Sequence, residues 1–339
     1  MLPELLQKLT RREDLTADES AAAMGEIMDG RASEPVVAAL LMGLALTGER
    51  PAEIVGFARA MRERALAPAL GPREAVDMCG TGGDRAGTFN ISSVAALVVA
   101  ACGVPVAKHG NRSVSSRCGS ADLFEALGVR INAAPDTVGR LLEEAGIAFL
   151  FAPVFHPSMK HAAPVRRALG LRTAFNLLGP LTNPARPLRQ VVGVPRPELT
   201  ELIARALLGL GSERAWVVHG ADGLDEISTT GYTKVSECRD GAVNTFYLHP
   251  ADFGVRMASP AALRGGDAHE NAIIARTVLS GAAGPERDVV LVNAAAALLV
   301  AGVADSIEDG IARGSAALDS GAAGRVLDRL VAVSAGLPV

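Results

Sequence analysis

Apolar side chains in the first 66 residues recur at intervals of three and four, the spacing that gathers them on one face of a helix. Asp18 or Ser20 is a candidate cap for one helix, and Ser33 is a candidate cap for the next. Pro51 suits the first turn of a third helix, since that position needs no amide donor. These residues are therefore predicted to form a helical region that serves in packing or association.

After residue 75 the pattern changes to short apolar runs that alternate with helical segments. Such alternation is typical of a parallel sheet with crossover connections. The candidate strands are residues 75–79, 104–107, 147–151, 191–194, 215–219, 235–238 and 242–248. The candidate helices are residues 91–102, 121–127, 135–145, 158–169, 197–210, 271–280 and 287–301. Residues 67–73, with two prolines and a glycine, are the predicted linker between the two regions.

Composition and charge argue against several classes of function. The length of 339 residues predicts one large core with a smaller domain beside it. A net charge of -4 without a basic run argues against a nucleic-acid partner. The four cysteines form no CxxC pair and no zinc spacing, which predicts a reducing, cytoplasmic compartment. No signal core opens the chain, and the longest apolar runs, 94–106 and 289–304, are interrupted, so no membrane span is expected.

A glycine-rich loop, Gly80-Thr81-Gly82-Gly83-Asp84, follows the first predicted strand. Adjacent glycines allow the backbone to approach an anion closely and to direct N–H groups at it. A dinucleotide fingerprint would need a glycine at position 85, where Arg85 stands, and an acidic residue near position 100, where there is none. A Walker motif is excluded because the chain contains no Gly-Lys dipeptide.

The helix after this loop has a favourable capping residue in Asn90. Free amides at Ile91, Ser92 and Ser93 would form an anion site that the helix dipole reinforces. An ordinary capped helix without a ligand is the alternative interpretation.

A second polar loop begins at Lys108 and follows the second predicted strand, at the end where ligands of open α/β sheets bind. The whole chain has only four lysines among its 33 lysine and arginine residues, so Lys108 is less plausible as a random surface cation. Hydroxyl groups follow at Ser113, Ser115, Ser116 and Ser120, and Ser120 is a candidate helix cap. The two loops together predict a site that encloses a phosphorylated ligand; a solvated basic loop is the alternative.

Five segments carry a specific resemblance: GTGGD at 80–84, FNISS at 89–93, KHGNRSVSS at 108–116, HPSMKHAAPVRRALGLRTAFNLLGPLTNP at 156–184 and GLDEIS at 223–228. They closely resemble the anthranilate phosphoribosyltransferase family, in order and over nearly the whole chain. The resemblance implies transfer of the phosphoribosyl group of phosphoribosyl diphosphate (PRPP) to the amino group of anthranilate, a step of tryptophan biosynthesis. Diphosphate is the leaving group, and Mg²⁺ is the implied cofactor.

The same resemblance implies the site residues. For PRPP they are Gly80, Gly83, Asp84, Thr88, Asn90, Ile91, Ser92, Ser93, Lys108, His109, Gly110, Asn111, Arg112, Ser113, Val114, Ser115, Ser116 and Ser120. Gly80, Asn111 and Arg166 are the implied anthranilate contacts, and the guanidinium of Arg166 suits a carboxylate. Ser92, Asp225 and Glu226 are the implied metal ligands. No covalent nucleophile or general base is assigned, because positioning and charge stabilisation suffice.

The fold implied by the resemblance is of the nucleoside phosphorylase/phosphoribosyltransferase type. A small helical domain at residues 1–70, joined by a returning segment near 155–185, lies beside an α/β domain at 71–339 with a mainly parallel central sheet. The active site is expected in the cleft between them, and a homodimer is expected to form through the helical domain.

Three alternatives remain at this stage. A pyrimidine nucleoside phosphorylase shares the fold and a related basic loop, but carries an additional C-terminal domain that a chain ending at Val339 is expected to lack. A related phosphoribosyltransferase could use a different acceptor, nucleic acid included, against which stand Arg166 and Asn111 in their expected contexts. A catalytically silent scaffold would need lesions in the motifs, and the motifs contain none.

Overall fold

The computed structural model describes residues 1–70, 74–113 and 117–337, and its N-terminal region is helical. The four helices are α1 (Leu2–Thr10), α2 (Ala17–Met28), α3 (Glu34–Thr47) and α4 (Pro51–Arg64). Pro51 opens α4, as predicted. The predicted caps of α2 were wrong: Asp18 and Ser20 lie inside the helix, and Thr16 caps it through a reciprocal pair of hydrogen bonds with Glu19.

A seven-stranded sheet forms the centre of the rest of the molecule. Its strands are β1 (Val76–Gly80), β2 (Val106–Gly110), β3 (Ile147–Phe151), β4 (Arg189–Gly193), β5 (Arg214–Gly220), β6 (Thr233–Arg239) and β7 (Ala242–Leu248). The spatial order is β3-β2-β1-β4-β5-β6-β7. Strands β1 to β5 pair in parallel, whereas β6 and β7 are antiparallel. A strand occurs at each of the seven predicted places, although β2 begins two residues late because Pro105 has no amide to donate.

Helices cover both faces of the sheet. They are α5 (Ile91–Ala101), α6 (Ser120–Ala126), α7 (Val138–Ala145), α8 (Ala152–Phe155), α9 (Ala163–Leu169), α10 (Phe175–Leu178), α11 (Leu199–Gly209), α12 (Ala268–Leu279), α13 (Pro285–Ala301), α14 (Ile307–Asp319) and α15 (Ala322–Ala335). Short 3₁₀ turns occur at Pro135–Thr137, Pro157–His161, Pro180–Thr182, Pro250–Phe253 and Pro260–Leu263. The helix predicted over 158–169 is divided into a 3₁₀ turn and α9, since Pro164 cannot continue a helical ladder.

Ser120 was also predicted wrongly as a cap. It is the first residue of α6, and its hydroxyl donates to the carbonyl of Asn111. The capping role falls to Asp122, whose carboxylate accepts from the amide of Gly119 at 2.8 Å.

Two apolar clusters hold the fold together. One lies between the sheet and α5, α13 and α15, and includes Val94, Leu97 and Leu298. The other joins the N-terminal helices to α11 and to side chains of the returning segment, among them Val165 and Phe175. The predicted fold class, a helical N-terminal region with a mainly parallel α/β region, is confirmed. The exact boundaries at 70 and 71 stay a prediction.

Within the described residues, no helix combines the length and the apolar character that a membrane crossing requires.

Candidate active site

The glycine loop lies where the direction of strand addition reverses. From β1 the chain adds β2 and β3 on one side, and then returns to add β4 and β5 on the other. Gly80 at the carboxyl end of β1 is paired with Gly193 at the carboxyl end of β4. In open α/β sheets such a switch point forms a crevice that binds ligands. The fold therefore places residues 80–84 at the expected position for a site.

The glycines of this loop are required by their surroundings. Gly82 and Gly83 have φ angles of +73° and +82°, in the left-handed region that favours glycine. A Cβ atom at Gly80 would overlap the carboxylate of Asp225. That carboxylate accepts a hydrogen bond of 2.7 Å from the amide of Gly82. Close approach of the acidic residue, rather than a turn alone, thus requires a glycine at position 80.

Asp225 and Glu226 connect the glycine loop to the start of α5. Glu226 accepts a hydrogen bond of 3.1 Å from the backbone nitrogen of Ser92. Burial raises the pKa of Asp225 well above the usual carboxyl range, and Asp84 adds to the effect. Burial also raises the pKa of Glu226, and its neighbour Asp225 adds to it. The structure thereby brings together two acidic groups that would gain from a bound cation.

Lys108 lies beneath the loop rather than on the surface, with 1% of its side chain exposed. Its ammonium donates to the carbonyl of Met78 at 2.5 Å and to the hydroxyl of Ser92 at 3.4 Å. The positive charge lowers the pKa of the buried Asp77 and of Glu226, against the larger effect of burial. The alternative interpretation, a solvated basic loop, is therefore wrong for Lys108, whose buried ammonium contacts the backbone beneath the glycine loop.

The start of α5 differs from the prediction. Asn90 occupies the cap position, but its side chain makes no capping bond. It accepts instead from Asn271 at 3.0 Å and donates to the carbonyl of Cys118 at 3.1 Å. The amides expected to be free have acceptors: Ile91 donates to the carbonyl of Phe89, Ser92 to Glu226, and Ser93 to the carbonyl of Asn90. The prediction of free amides here was wrong, because a cap prediction cannot anticipate a distant carboxylate.

The second polar loop is only partly described, since Val114, Ser115 and Ser116 lie outside the described residues. Arg112 forms hydrogen-bonded ion pairs with Asp122 at 2.9 Å and with Glu125 at 2.8 and 3.1 Å. The amide of Ser113 donates to Asp122 at 3.1 Å. Acidic residues of α6 thus balance the charge of Arg112 in this arrangement.

Three other predicted residues of the loops have structural contacts. The backbone of Thr88 forms an isolated antiparallel bridge with that of Arg264. Nδ1 of His109 lies 3.1 Å from the carbonyl oxygen of Gly179. The carbonyl of Asn111 accepts from the amide of Ala121 at 3.2 Å. These contacts fix the backbone on both sides of the crevice.

His109 and His156 form a buried ring pair with centroids 5.2 Å apart. Burial lowers the pKa of His109 to about 3, and its neighbour His156 adds to the effect. Burial likewise lowers the pKa of His156 to about 4. Both rings are therefore neutral near pH 7.

Arg166 is a half-buried cation on α9. Its guanidinium lies over the ring of Phe175, 5.2 Å from the centroid. Burial alone lowers its pKa, and among the described residues no acidic side chain lies within ion-pair distance of it. Such a group has donors available for a carboxylate ligand.

Sequence reasoning missed two residues that hold the site in shape. The buried Asn293 on α13 accepts from the amide of Ile227 and donates to its carbonyl, both at 2.9 Å. Arg172 donates to the carbonyls of Gly82 and Gly83. A polar side chain inside the apolar run 289–304 was a usable signal for Asn293. Arg172 lies inside the segment 156–184, but nothing in that segment indicated its contact with the glycine loop.

Comparisons with known proteins agree along the chain. Residues 3–65 match the model of the glycosyl transferase family, helical bundle domain, and residues 72–324 match that of the glycosyl transferase family, a/b domain. The anthranilate phosphoribosyltransferase of Moorella thermoacetica is 54% identical over 332 residues, covering 98% of each chain.

Solved structures are also similar. Anthranilate phosphoribosyltransferase from Thermus thermophilus has a TM-score of 0.92 and 46% identity, covering 98% of this chain and 99% of its own. The enzyme from Saccharomyces cerevisiae, in complex with PRPP and Mg, has a TM-score of 0.91 and 29% identity, covering 99% of this chain and 98% of its own. Another structure of the yeast enzyme contains 4-fluoroanthranilate; it has a TM-score of 0.89 and 28% identity, with the same coverage. The chain therefore belongs to the anthranilate phosphoribosyltransferase family.

Proposed function

We propose that this protein transfers the phosphoribosyl group of PRPP to the amino group of anthranilate, giving N-(5-phosphoribosyl)anthranilate and diphosphate in tryptophan biosynthesis. The observation that carries the proposal is the 54% identity to an anthranilate phosphoribosyltransferase over 98% of both chains. The relatives support this activity rather than that of a pyrimidine nucleoside phosphorylase.

PRPP is assigned to the crevice at the switch point. The proposed contacts are Gly80, Gly83, Asp84, Thr88, Asn90, Ile91, Ser92, Ser93, residues 108–116 and Ser120. Support comes from the hydrogen bonds that join the glycine loop, the start of α5 and residues 225–226 into one cluster. For Val114, Ser115 and Ser116 the assignment rests on the resemblance alone.

Anthranilate is assigned to Gly80, Asn111 and Arg166. Its carboxylate needs a cationic partner, and Arg166 has no acidic partner among residues 1–70, 74–113 and 117–337. A guanidinium can bind a carboxylate through two parallel hydrogen bonds, which fixes the direction of the aromatic ring as well as its position.

Mg²⁺ fits the acidic pair. Magnesium prefers oxygen ligands and uses few carboxylates, together with substrate phosphates and water. Asp225, Glu226 and the hydroxyl of Ser92 would hold it. The raised pKa values of the two acids show that burial disfavours their charged forms, and a bound cation would offset that cost. The described residues contain no cluster of three His, Cys, Asp or Glu side chains suited to a metal. When bound, Mg²⁺ would supply neutralisation of the diphosphate charge.

The proposed reaction requires the protein mainly to position its two substrates. As the bond between C1 and the diphosphate oxygen breaks, positive charge develops on the ribose and negative charge on the leaving group. Backbone donors of the glycine loop would stabilise that negative charge, and donors that the fold holds in place need little rearrangement during the reaction. Arg166 would hold anthranilate with its amine toward C1. The aromatic amine has a lone pair at neutral pH, and no residue is assigned as a general base.

A homodimer and a cytoplasmic location complete the proposal. Helix α3 is apolar on nearly all sides, and Leu46 within it is 82% exposed. A helix of this composition is normally covered, and a second copy of the helical region would cover it. The four cysteines, all within the described residues, form no disulfide, as is usual in a reducing compartment.

The decisive experiment follows anthranilate fluorescence in the presence of PRPP and MgCl₂, with omission of each component as the control. Rapid loss of fluorescence that needs both PRPP and the protein is expected. Phosphate-dependent cleavage of thymidine or uridine would indicate the phosphorylase instead. Turnover of PRPP with another amine but not with anthranilate would indicate a different acceptor, and absence of all turnover would indicate a silent scaffold.

A further inference from the structure

Arg172 reaches from the returning segment to the backbone of the glycine loop. It lies between α9 and α10, and its Nη1 and Nη2 donate to the carbonyls of Gly83 at 3.0 Å and Gly82 at 2.8 Å. A Cβ atom at Gly83 would overlap the guanidinium, so the contact depends on a glycine there. One planar side chain therefore binds two successive carbonyls 89 and 90 residues away.

These contacts determine the direction of two amides. In a trans peptide the carbonyl and the following N–H point in opposite directions. Because the carbonyls of Gly82 and Gly83 point at Arg172, the N–H groups of Gly83 and Asp84 point away from it. The described residues offer neither amide an acceptor within hydrogen-bond distance. By contrast, the amide of Gly82 is already bound to Asp225.

Two adjacent N–H groups at a sheet switch point, for which residues 1–70, 74–113 and 117–337 provide no acceptor, are suited to a phosphate group. The amides at the start of α5 are not available in the same way, because each has an acceptor. In the part of the crevice that the structure describes, the amides of Gly83 and Asp84 are thus backbone donors without an acceptor, and their direction depends on what holds the opposite side of the peptides.

We propose that Arg172 is a positioning residue for PRPP: by binding the carbonyls of Gly82 and Gly83, it aims the amides of Gly83 and Asp84 at a phosphate group of the substrate. This inference rests on the proposed function and adds a residue to it. Lysine cannot replace the arginine, because an ammonium is a compact point charge without the rigid planar fork.

The returning segment that carries Arg172 also packs against the helical region. Phe175, three residues after Arg172, is buried in the cluster that contains the N-terminal helices. The chain on the C-terminal side of Arg172 is therefore held by the helical region, whereas the loop that its guanidinium contacts follows strand β1 of the sheet.

The test is calorimetric titration of the full-length protein with PRPP in MgCl₂, using Arg172→Gln, Arg172→Lys and the control Arg167→Gln. Arg167 is exposed on α9 and is not among the proposed site residues. Both Arg172 variants are expected to bind PRPP about tenfold more weakly, the loss typical of hydrogen bonds to a charged group. The KM for anthranilate and the melting temperature are expected to stay at the wild-type values. Titrations with inorganic diphosphate and with ribose 5-phosphate identify the phosphate, since only the one bound by the loop weakens.

Gly83→Ala provides a second route to the same contact. It is expected to weaken PRPP binding both by displacing the guanidinium and by straining a residue whose φ is +82°. The double variant with Arg172→Gln should lose less than the two separate losses combined, because displacement of the guanidinium is common to both. Full binding by Arg172→Lys would show a simple charge effect and overturn the proposal. So would unchanged PRPP binding by Arg172→Gln, or an equal loss for anthranilate with a lower melting temperature.

The two proposals fail in different ways. Wild-type protein that binds PRPP but leaves anthranilate unreacted contradicts the proposed function, while the Arg172 variants still test the positioning role. Normal wild-type turnover with normal PRPP binding by the Arg172 variants contradicts only the positioning role. Wild-type protein that does not bind PRPP contradicts both.

Discussion

The carboxylate of Asp225 accepts a hydrogen bond from the backbone amide of Gly82, 143 residues earlier in the chain, at 2.7 Å. This bond joins the loop after β5 to the loop after β1, across β4. The adjacent Glu226 makes the corresponding bond to Ser92 at the start of α5. The acidic pair is therefore a structural element of the glycine loop as well as a candidate cation site.

Gly80→Ala is expected to damage the site and to lower the stability of the fold modestly. The added methyl group would overlap the carboxylate of Asp225, and displacement of that group costs about 1–3 kcal/mol. A fall of roughly tenfold to a hundredfold in kcat/KM for PRPP is expected. The matched control is Gly324→Ala on α15, where a Cβ atom has only an ordinary contact. Equal kinetics in the two variants would contradict the steric argument.

The acidic pair should make the metal-free protein less stable as the pH rises. The folded-state pKa values of Asp225 and Glu226 lie above the ordinary values of 3.8 and 4.5, chiefly because of burial. Above those ordinary values the unfolded chain releases its protons first, so the folded state binds more protons and stability falls with pH. The loss continues until the folded-state pKa values are passed. The size of the loss is about 1.4 kcal/mol for each pKa unit by which a folded-state pKa exceeds its ordinary value.

The measurement is thermal unfolding between weakly acidic and weakly alkaline pH, with EDTA or with MgCl₂. Wild type in EDTA should lose melting temperature as the pH rises, and MgCl₂ should restore it at the alkaline end. The double variant Asp225→Asn/Glu226→Gln should have a smaller pH slope and a smaller response to MgCl₂. An identical slope in the variant would show that other groups cause the pH dependence.

Much of this fold could be predicted from local patterns. Short apolar runs gave a strand at each of the seven predicted places. A parallel strand that is buried on both faces, such as β3, needs a continuous apolar stretch. The cap of α2 was misplaced because Thr16, Asp18 and Ser20 are all acceptable caps, and only the geometry of Glu19 selects Thr16. Element boundaries depend on such details.

The contacts inside the site could not be predicted in this way. Residues 80–84 and 108–113 lie at the carboxyl ends of the neighbouring strands β1 and β2, with Gly80 and residues 108–110 inside the strands, so their proximity follows from the sheet. The sheet does not determine which backbone donors remain without an acceptor. The amide of Ser92, for example, donates to Glu226, 134 residues away in the chain. Arg172 lies inside the segment 156–184 that carries the resemblance, but its contact could not be predicted, because its partners are backbone carbonyls that a sequence pattern does not reveal.

Arg166→Gln should weaken the use of anthranilate and spare PRPP. Loss of hydrogen bonds from a charged group costs about 1.5–3 kcal/mol, which predicts a fall of about tenfold to a hundredfold in kcat/KM for anthranilate. The KM for PRPP should stay at the wild-type value. Arg167→Gln, one position along α9 on an exposed side chain, is the matched control.

A substrate comparison sharpens the same test. Aniline lacks the carboxylate that Arg166 is proposed to bind, so its reaction should be nearly the same in wild type and in Arg166→Gln. The preference for anthranilate over aniline should therefore shrink in the variant. An unchanged preference would mean that Arg166 does not recognise the carboxylate.

Asn293→Ala should loosen the acidic pair from behind. The side chain of Asn293 bonds the amide and the carbonyl of the buried Ile227, the residue that follows Glu226. Its removal leaves both backbone groups without these partners, at about 1–3 kcal/mol for each unsatisfied group. Asn244→Ala, at an exposed position on β7, is the control for the same substitution. Asn293→Ala should melt at a lower temperature and need more MgCl₂ for half-maximal turnover, because the backbone that carries Glu226 is no longer fixed.

A lower melting temperature with an unchanged MgCl₂ requirement would limit Asn293 to a role in stability. No change in either quantity would show that the Ile227 contacts contribute little.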